Sequence, residues 1–295
     1  MIINKVKTLI KAFQGVLLKI WYIPFNKESY YLPLSEKADG SEMVTISLTS
    51  YGRRVSKTLP YTLISLLKQS QRPNRIVVWL DNNWNDDNLP HKLQEFKKVG
   101  VEFKFCNDFK SFKKLIPALQ EGKDEIIITC DDDLFYNKYM VERLLDAHRK
   151  YPNTICCQLA HGIRFMDGKM LPYNQWEEEI FDTSECVFPL GGSGCLYKRD
   201  FLYEDVVNYD LAKSLCPKAD DVWFYFMGFK KNTQRYVLPY IKDIVIPLDA
   251  FYQFFHRGSS LMEDNLSQGL NDKQIQAVIE HYSLNVNEIY HNNRL

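Results

Sequence analysis

Through the middle of the chain, short apolar runs alternate with longer stretches in which apolar residues recur at helical spacing. Residues 44–48, 75–80, 101–105 and 125–129 are the apolar runs, β-branched in large part and bounded by polar turns. Runs of this length and composition predict strands buried on both faces of a sheet. Residues 59–69, 89–98 and 112–120 carry the helical spacing, the first stopping before Pro73. Strands that alternate with helices predict βαβ units and an α/β fold with a mostly parallel, doubly wound sheet. After residue 150 the alternation fades. Residues 154–159 read as one more strand, and 162–184 as a polar, aromatic and acidic excursion over the sheet. No internal repeat or low-complexity segment is present.

The first 25 residues have a pattern of their own. Ile2, Val6, Leu9, Ile10, Phe13, Leu17, Ile20 and Trp21 fall at helical spacing, with Lys5, Lys7, Lys11 and Lys19 mostly off that stripe. Gln14 and Lys19 interrupt it too early for a membrane-spanning helix, and no small-residue cleavage site follows, so a signal peptide fits poorly. A basic amphipathic helix ending in Trp21-Tyr22 suits a membrane surface. A helix packed on its own protein would show the same moment. The expected organisation is an amphipathic helix at 1–25, a linker at 26–43 containing Pro33 and Gly40, an α/β domain at 44–265, and a C-terminal helix and tail at 266–295.

Composition narrows the functional classes. Lysine plus arginine (37) equals aspartate plus glutamate (37), so no global field draws nucleic acid. With 45 % hydrophobic residues, 295 residues can bury a large core. The seven cysteines show neither a CxxC pair nor a zinc spacing, which points to reduced thiols and a cytoplasmic setting.

Candidate chemistry clusters at the ends of the predicted strands. Asp131, Asp132 and Asp133 directly follow the fourth apolar run. In an open parallel sheet, ligands bind beyond the carboxyl ends of the strands. Three adjacent carboxylates there repel one another, and a hard ion, Mn2+ or Mg2+, shared with a phosphate would neutralise them. D-x-D spacing lets Asp131 and Asp133 point one way and Asp132 the other. The plainer alternative is a solvated acidic turn. Ser50 and Tyr51 follow the first strand and Asp81 the second, so the same edge would gather them.

Four further features are ambiguous alone. Asp220-Asp221 precedes an apolar run and could cap a helix, or supply a general base held ionised by the helix dipole. Gly191-Gly192-Ser193-Gly194 could let the backbone approach a ligand, or simply form a bulge. Arg53, Arg54, Lys113 and Lys114 could meet phosphate or coat the surface, and His256 could be a late metal contact or a packing residue. Tyr173 and Trp176 could stack on a sugar ring or lie buried in their own domain.

Taken in order, these segments resemble the GT-A glycosyltransferases of the family-2-like group, in particular bacterial enzymes that build surface polysaccharides. The matching stretches are Ser47-Leu48-Thr49-Ser50-Tyr51-Gly52-Arg53, Ser65-Leu66-Leu67-Lys68-Gln69 with Pro73, Ile76 to Asp81, Asp131-Asp132-Asp133, the Gly191–Gly194 cluster, and Ala219-Asp220-Asp221-Val222-Trp223, covering roughly residues 44 to 260. The resemblance implies a metal at Asp131 and Asp133, with Asp132 in the same motif, and a nucleotide pocket with Ser50, Tyr51, Arg53 and Asp81. Lys114, Gly192 and Ser193 join the donor side. Asp221 is implied as the base of an inverting transfer from a nucleotide-sugar, expected to be a UDP-sugar, to a glycan or lipid-linked acceptor. Two departures stand out. The family's acid pair is commonly Glu-Asp and is Asp-Asp here, leaving Asp220 as a competing base, and His256 lacks the usual downstream motif. A nucleotidyltransferase that releases pyrophosphate, and a carbohydrate-binding protein without catalysis, are the competing readings.

Overall fold

The apolar runs become the centre of a seven-stranded sheet in a computed structural model, which describes residues 2–22, 34–36, 42–122, 125–250, 252, 269–285 and 288. β1 (Val44–Thr49), β2 (Arg75–Asp81), β3 (Val101–Cys106) and β4 (Ile126–Cys130) match the four expected strands to within one residue at each end. Short strands follow: β5 (Leu134–Tyr136), β6 (Thr154–Cys157), β7 (Ala160–Gly162), β8 (Phe165–Met166), β9 (Lys169–Met170), β10 (Glu177–Ile180) and β11 (Val187–Pro189). β12 (Ser193–Tyr197), β13 (Gln234–Val237) and β14 (Val245–Pro247) complete the set.

The main sheet runs β13-β6-β12-β4-β1-β2-β3. β1 lies between β2 and β4, parallel to both, with Ile46 opposite Ile76 on one side and Ile128 on the other. Every residue of β4 is buried, which explains its unbroken apolar run: a strand covered on both faces has no position for water-seeking side chains. β12 breaks the parallel pattern. It pairs antiparallel with both β4 and β6, and Ser193 stands opposite Cys130. An antiparallel strand begins where its parallel neighbour ends, so the glycine cluster before β12 is delivered to the last residue of β4.

Helices flank the sheet: α1 (Ile2–Tyr22), α2 (Arg54–Lys57), α3 (Leu59–Leu67), α4 (His91–Lys97), α5 (Ile116–Glu121), α6 (Met140–Lys150), α7 (Tyr209–Leu215), α8 (Asp220–Lys230) and α9 (Leu270–Tyr282). The helix expected over 112–120 is divided into a 3₁₀ turn, Lys110–Lys114, and α5. Pro117, in the first turn of α5, has no N–H to carry an α-helical bond back to Lys113, so a new helix starts there. α8 is buried nearly all round, with Trp223 fully enclosed, in keeping with its nearly unpatterned apolar sequence.

The excursion at 162–184 is more ordered than its polar sequence suggests. β7 is the middle strand of a three-stranded sheet with β10 and β11, and β8 pairs with β9. Trp176 is buried there, its indole N–H donating to the Leu171 carbonyl at 2.8 Å. Part of the expected linker is tied to the domain: the Ser35 N–H donates to the Pro73 carbonyl at 3.0 Å. β5 and β14 form a separate antiparallel ribbon, in which Pro247 faces Leu134 immediately after the three aspartates.

Candidate active site

Because β2, β1 and β4 are neighbours and parallel, their carboxyl ends lie side by side. Asp81 ends β2, Ser50 follows β1, and Asp131 follows β4, so the sheet gathers the predicted residues at one edge. The chain leaving β4 is held by three bonds. The Asp131 N–H donates to the Tyr136 hydroxyl at 2.7 Å and to the Gly192 carbonyl at 3.0 Å, and the Tyr136 hydroxyl in turn donates to the Gly192 carbonyl.

Each aspartate of the triplet then meets a different environment. Asp131 is partly open to solvent, and its Oδ1 accepts from Lys114 Nζ at 2.6 Å. Asp132 is turned inward and buried, accepting from the Ser50 hydroxyl and from Arg54 at 3.1 Å. Asp133 lies 2.9 Å from the other terminal nitrogen of Arg54. The triplet is therefore a set of carboxyl groups clasped by Arg54 and Lys114, and not a solvated turn. Asp131 and Asp133 lie on different cations, Asp131 on Lys114 and Asp133 on Arg54.

The second acid pair arrives from nearly ninety residues downstream. Asp220 and Asp221 form the first turn of α8, yet the helix has no side-chain cap: the pair is turned to the site. Asp220 is buried, with Oδ2 at 3.3 Å from Lys114 Nζ. Asp221 Oδ1 accepts from the Gly191 N–H at 3.1 Å. Lys114 thus stands between the two acid motifs, while the glycine cluster lies against both. A Cβ on Gly192 would come within 1.9 Å of Asp131 Oδ2, and one on Gly191 within 2.8 Å of Asp221 Oδ1. Only glycine leaves room for these carboxylates. Gly194, at φ +98°, provides the bulge by which β12 resumes its register.

Burial and crowding among like charges shape the proton affinities. Asp221 is pushed up to about 7 by burial and by the charge of Asp220, with Lys114 opposing. Asp132 is likewise raised to about 7 by burial and by Asp133, against the pull of Arg54 and Ser50. Asp133 is raised by burial, with Asp131 and Asp249 adding to it and Arg54 opposing. Burial alone would lower the Lys114 ammonium, but Asp131, Asp220 and Asp221 hold it well above its usual range, so it stays charged.

The remaining predicted residues take up varied positions. Ser50 is fully enclosed, its hydroxyl committed to Asp132. Tyr51 is exposed, its ring 5.3 Å from the Arg54 guanidinium. Arg53 pairs with Asp249 and stacks 3.1 Å over the Tyr252 ring. Asp81 accepts from the Asn83 N–H at 2.9 Å and so closes its own turn. Ser193 is buried, with its carbonyl accepting from Gln158. Lys113 is buried and paired with Asp108. His256 lies outside the described residues. Sequence reasoning missed Tyr136 and Asp249. Tyr136 carries no local signal, and Asp249 closes an apolar run as Asp81 does, a signal that could have found it.

The profile described as Glycosyl transferase family 2 matches residues 45–205, more than half of the chain. The chain belongs to glycosyl transferase family 2. The match takes in β1, the acid triplet and the glycine cluster, and ends before Asp220. Solved structures with a similar fold include S. aureus TarS 1–349, at 15 % identity and TM-score 0.48, covering 83 % of this chain and 72 % of that one. The same protein in complex with UDP aligns at 14 % identity and TM-score 0.44, over 82 % and 72 %. CMP:2-keto-3-deoxy-manno-octonic acid synthetase complexed with CTP aligns at 12 % identity and TM-score 0.42, over 68 % and 90 %. No curated protein matches the chain at a significant level.

Proposed function

We propose that this glycosyltransferase moves a sugar from a nucleoside-diphosphate donor of the UDP-sugar class to a hydroxyl of a glycan or lipid-linked acceptor, with inversion at the anomeric carbon. The observation that carries this reading is the meeting of the two acid motifs around Lys114, with Asp221 raised to about 7. A base is most effective when its proton affinity lies near the working pH. Asp221 accepts the proton of the acceptor hydroxyl, whose oxygen bonds to the anomeric carbon as the bond to the diphosphate breaks. The electron pair leaves with the diphosphate, so no protein acid is needed on that side.

The charge on the leaving diphosphate needs a cation. Asp131 and Asp133 suit a hard divalent ion, since Mg2+ is commonly held by one or two carboxylates and completed by phosphate oxygens and water. Among the described residues no group of three potential metal ligands gathers. When bound there, Mn2+ or Mg2+ would neutralise the leaving diphosphate. Arg54 would have to share or yield Asp133, while Lys114 pairs with Asp131 and Asp220. Tyr51 and Arg53, at the exposed edge after β1, are suited to the nucleotide.

Asp221→Asn and Asp220→Asn separate the two candidate bases. Asp221→Asn is expected to bind donor normally in calorimetry and to lose turnover by about 10²–10⁴-fold, the usual range for a general base. Nucleoside-diphosphate release from a UDP-sugar panel with Mn2+ or Mg2+ gives the rate. A silent Asp220→Asn beside an active Asp221→Asn would reverse the assignment, and pyrophosphate as the product would replace transfer with nucleotidyl chemistry.

A further inference from the structure

From Ile10 to Trp21, α1 presents its apolar stripe outward. Ile10 (54 %), Phe13 (58 %), Leu17 (48 %), Ile20 (58 %) and Trp21 (66 %) are all exposed and lie on one face of the helix. The small and polar face packs inward instead. Ala12 is buried, and Gly15 touches the β14 backbone so closely that a Cβ would lie 2.2 Å from the Pro247 carbonyl oxygen. Lys19 is half-buried, its ammonium lowered by burial and felt by Asp249, Arg53 and Asp133. Tyr22 stacks on Phe135 at 5.5 Å, with Lys68 Nζ 4.5 Å from the Tyr22 ring. A helix that shows water its large apolar residues while burying alanine and glycine is built for a second apolar phase.

We propose that this face of α1 docks the protein on the surface of an anionic lipid bilayer. Charge selects that occupant. The chain is neutral overall, yet besides the half-buried Lys19 the lysines Lys5, Lys7, Lys11 and Lys27 precede its first acid, Glu28. Clustered lysines beside an apolar stripe are drawn to anionic headgroups. The helix lies on the bilayer and does not cross it: no helix among the described residues is long and apolar enough to span.

The docking face is linked to the site by packing and one backbone hydrogen bond. Gly15 sits on Pro247 of β14, and the next residue, Leu248, donates its N–H to the Asp133 carbonyl at 2.8 Å. Phe135, under Tyr22, is two residues beyond Asp133. The bilayer is therefore held beside the wall of the acid triplet, where an acceptor anchored in lipid would present its hydroxyl.

Vesicle co-sedimentation of the full chain tests the docking independently of the transfer chemistry. Vesicles with about a third phosphatidylglycerol are expected to pellet the protein, and pure phosphatidylcholine to pellet far less. Phe13→Glu with Ile20→Glu, both on exposed positions, is expected to cut partitioning by about tenfold or more, since binding scales with the apolar area immersed. Unchanged thermal midpoint and donor binding in that variant would show that the fold and donor site are intact. No pelleting by anionic vesicles, or equal pelleting of the double variant, overturns the proposal. So does a wild-type dimer in light scattering that the double variant abolishes, which would give the face to a second copy.

Discussion

Asp221 and Asp132 carry similar proton affinities for different ends. Both are raised to about 7 by burial beside another carboxylate. Asp132 is locked between Ser50 and Arg54, whereas Asp221 is held by a single backbone N–H. An Asp221 base must be ionised, so kcat/KM is expected to fall roughly tenfold per pH unit below about pH 7 and to level off above it. In Asp221→Asn the residual rate should lose that acid limb; a limb that persists would assign the titration elsewhere. Gly192→Ala tests the close approach, since its methyl group must displace the Asp131 carboxylate. Metal-dependent donor binding is expected to weaken at least tenfold in calorimetry, with the melting midpoint changed much less. The triplet was readable because charge directly after an apolar run is costly and conspicuous. Its pairing with cations was not: Arg54 and Asp132 are 78 residues apart, and sequence spacing says nothing about such a contact.

Among the elements, β4 and α1 show opposite relations between pattern and burial. β4 is apolar throughout because both faces are covered, and Ile128 has no exposed surface. Ile128→Ala is expected to cost about 2–5 kcal/mol in urea unfolding, as for other buried large-to-small changes. The α1 stripe has the same chemistry but faces outward. Its seat on the protein depends on a residue without a side chain, so Gly15→Val must push the helix off Pro247. Overpacking of that kind costs about 1–3 kcal/mol, and the thermal midpoint should drop accordingly. A midpoint equal to wild type would mean that α1 contributes nothing to stability. Periodicity located both elements, since burial on one or two faces imprints a period on the sequence. It cannot say whether an apolar face is turned to protein or to another phase.

At the scale of the molecule, crowding of acids at one sheet edge has a consequence for stability. Asp132, Asp133 and Asp221 hold protons more tightly in the folded chain than in the unfolded one. Folding is then favoured while these groups are protonated, and stability is lost as pH rises from their ordinary range near 4 towards 7. Urea midpoints measured between pH 5 and 8 are expected to fall with pH in metal-free buffer. Adding donor with Mn2+ should reverse the fall, because a ligand bound only by the folded state raises its stability. A midpoint that instead rose steadily to pH 8 without ligand would contradict the burial of these acids. The sequence by itself determined the strands β1 to β4, the mostly parallel α/β class and the acid triplet at the end of β4. Each follows from local rules: period, length, and the cost of placing charge after a buried strand. The tertiary structure alone decided the rest. Antiparallel β12 sets the glycine cluster at the end of β4, and the 3₁₀ turn before Pro117 aims Lys114 between acids from distant segments. The outward roll of α1 is of the same kind. These outcomes depend on which strand lies next to which and on how a backbone turns between elements, and no local pattern in the chain encodes them.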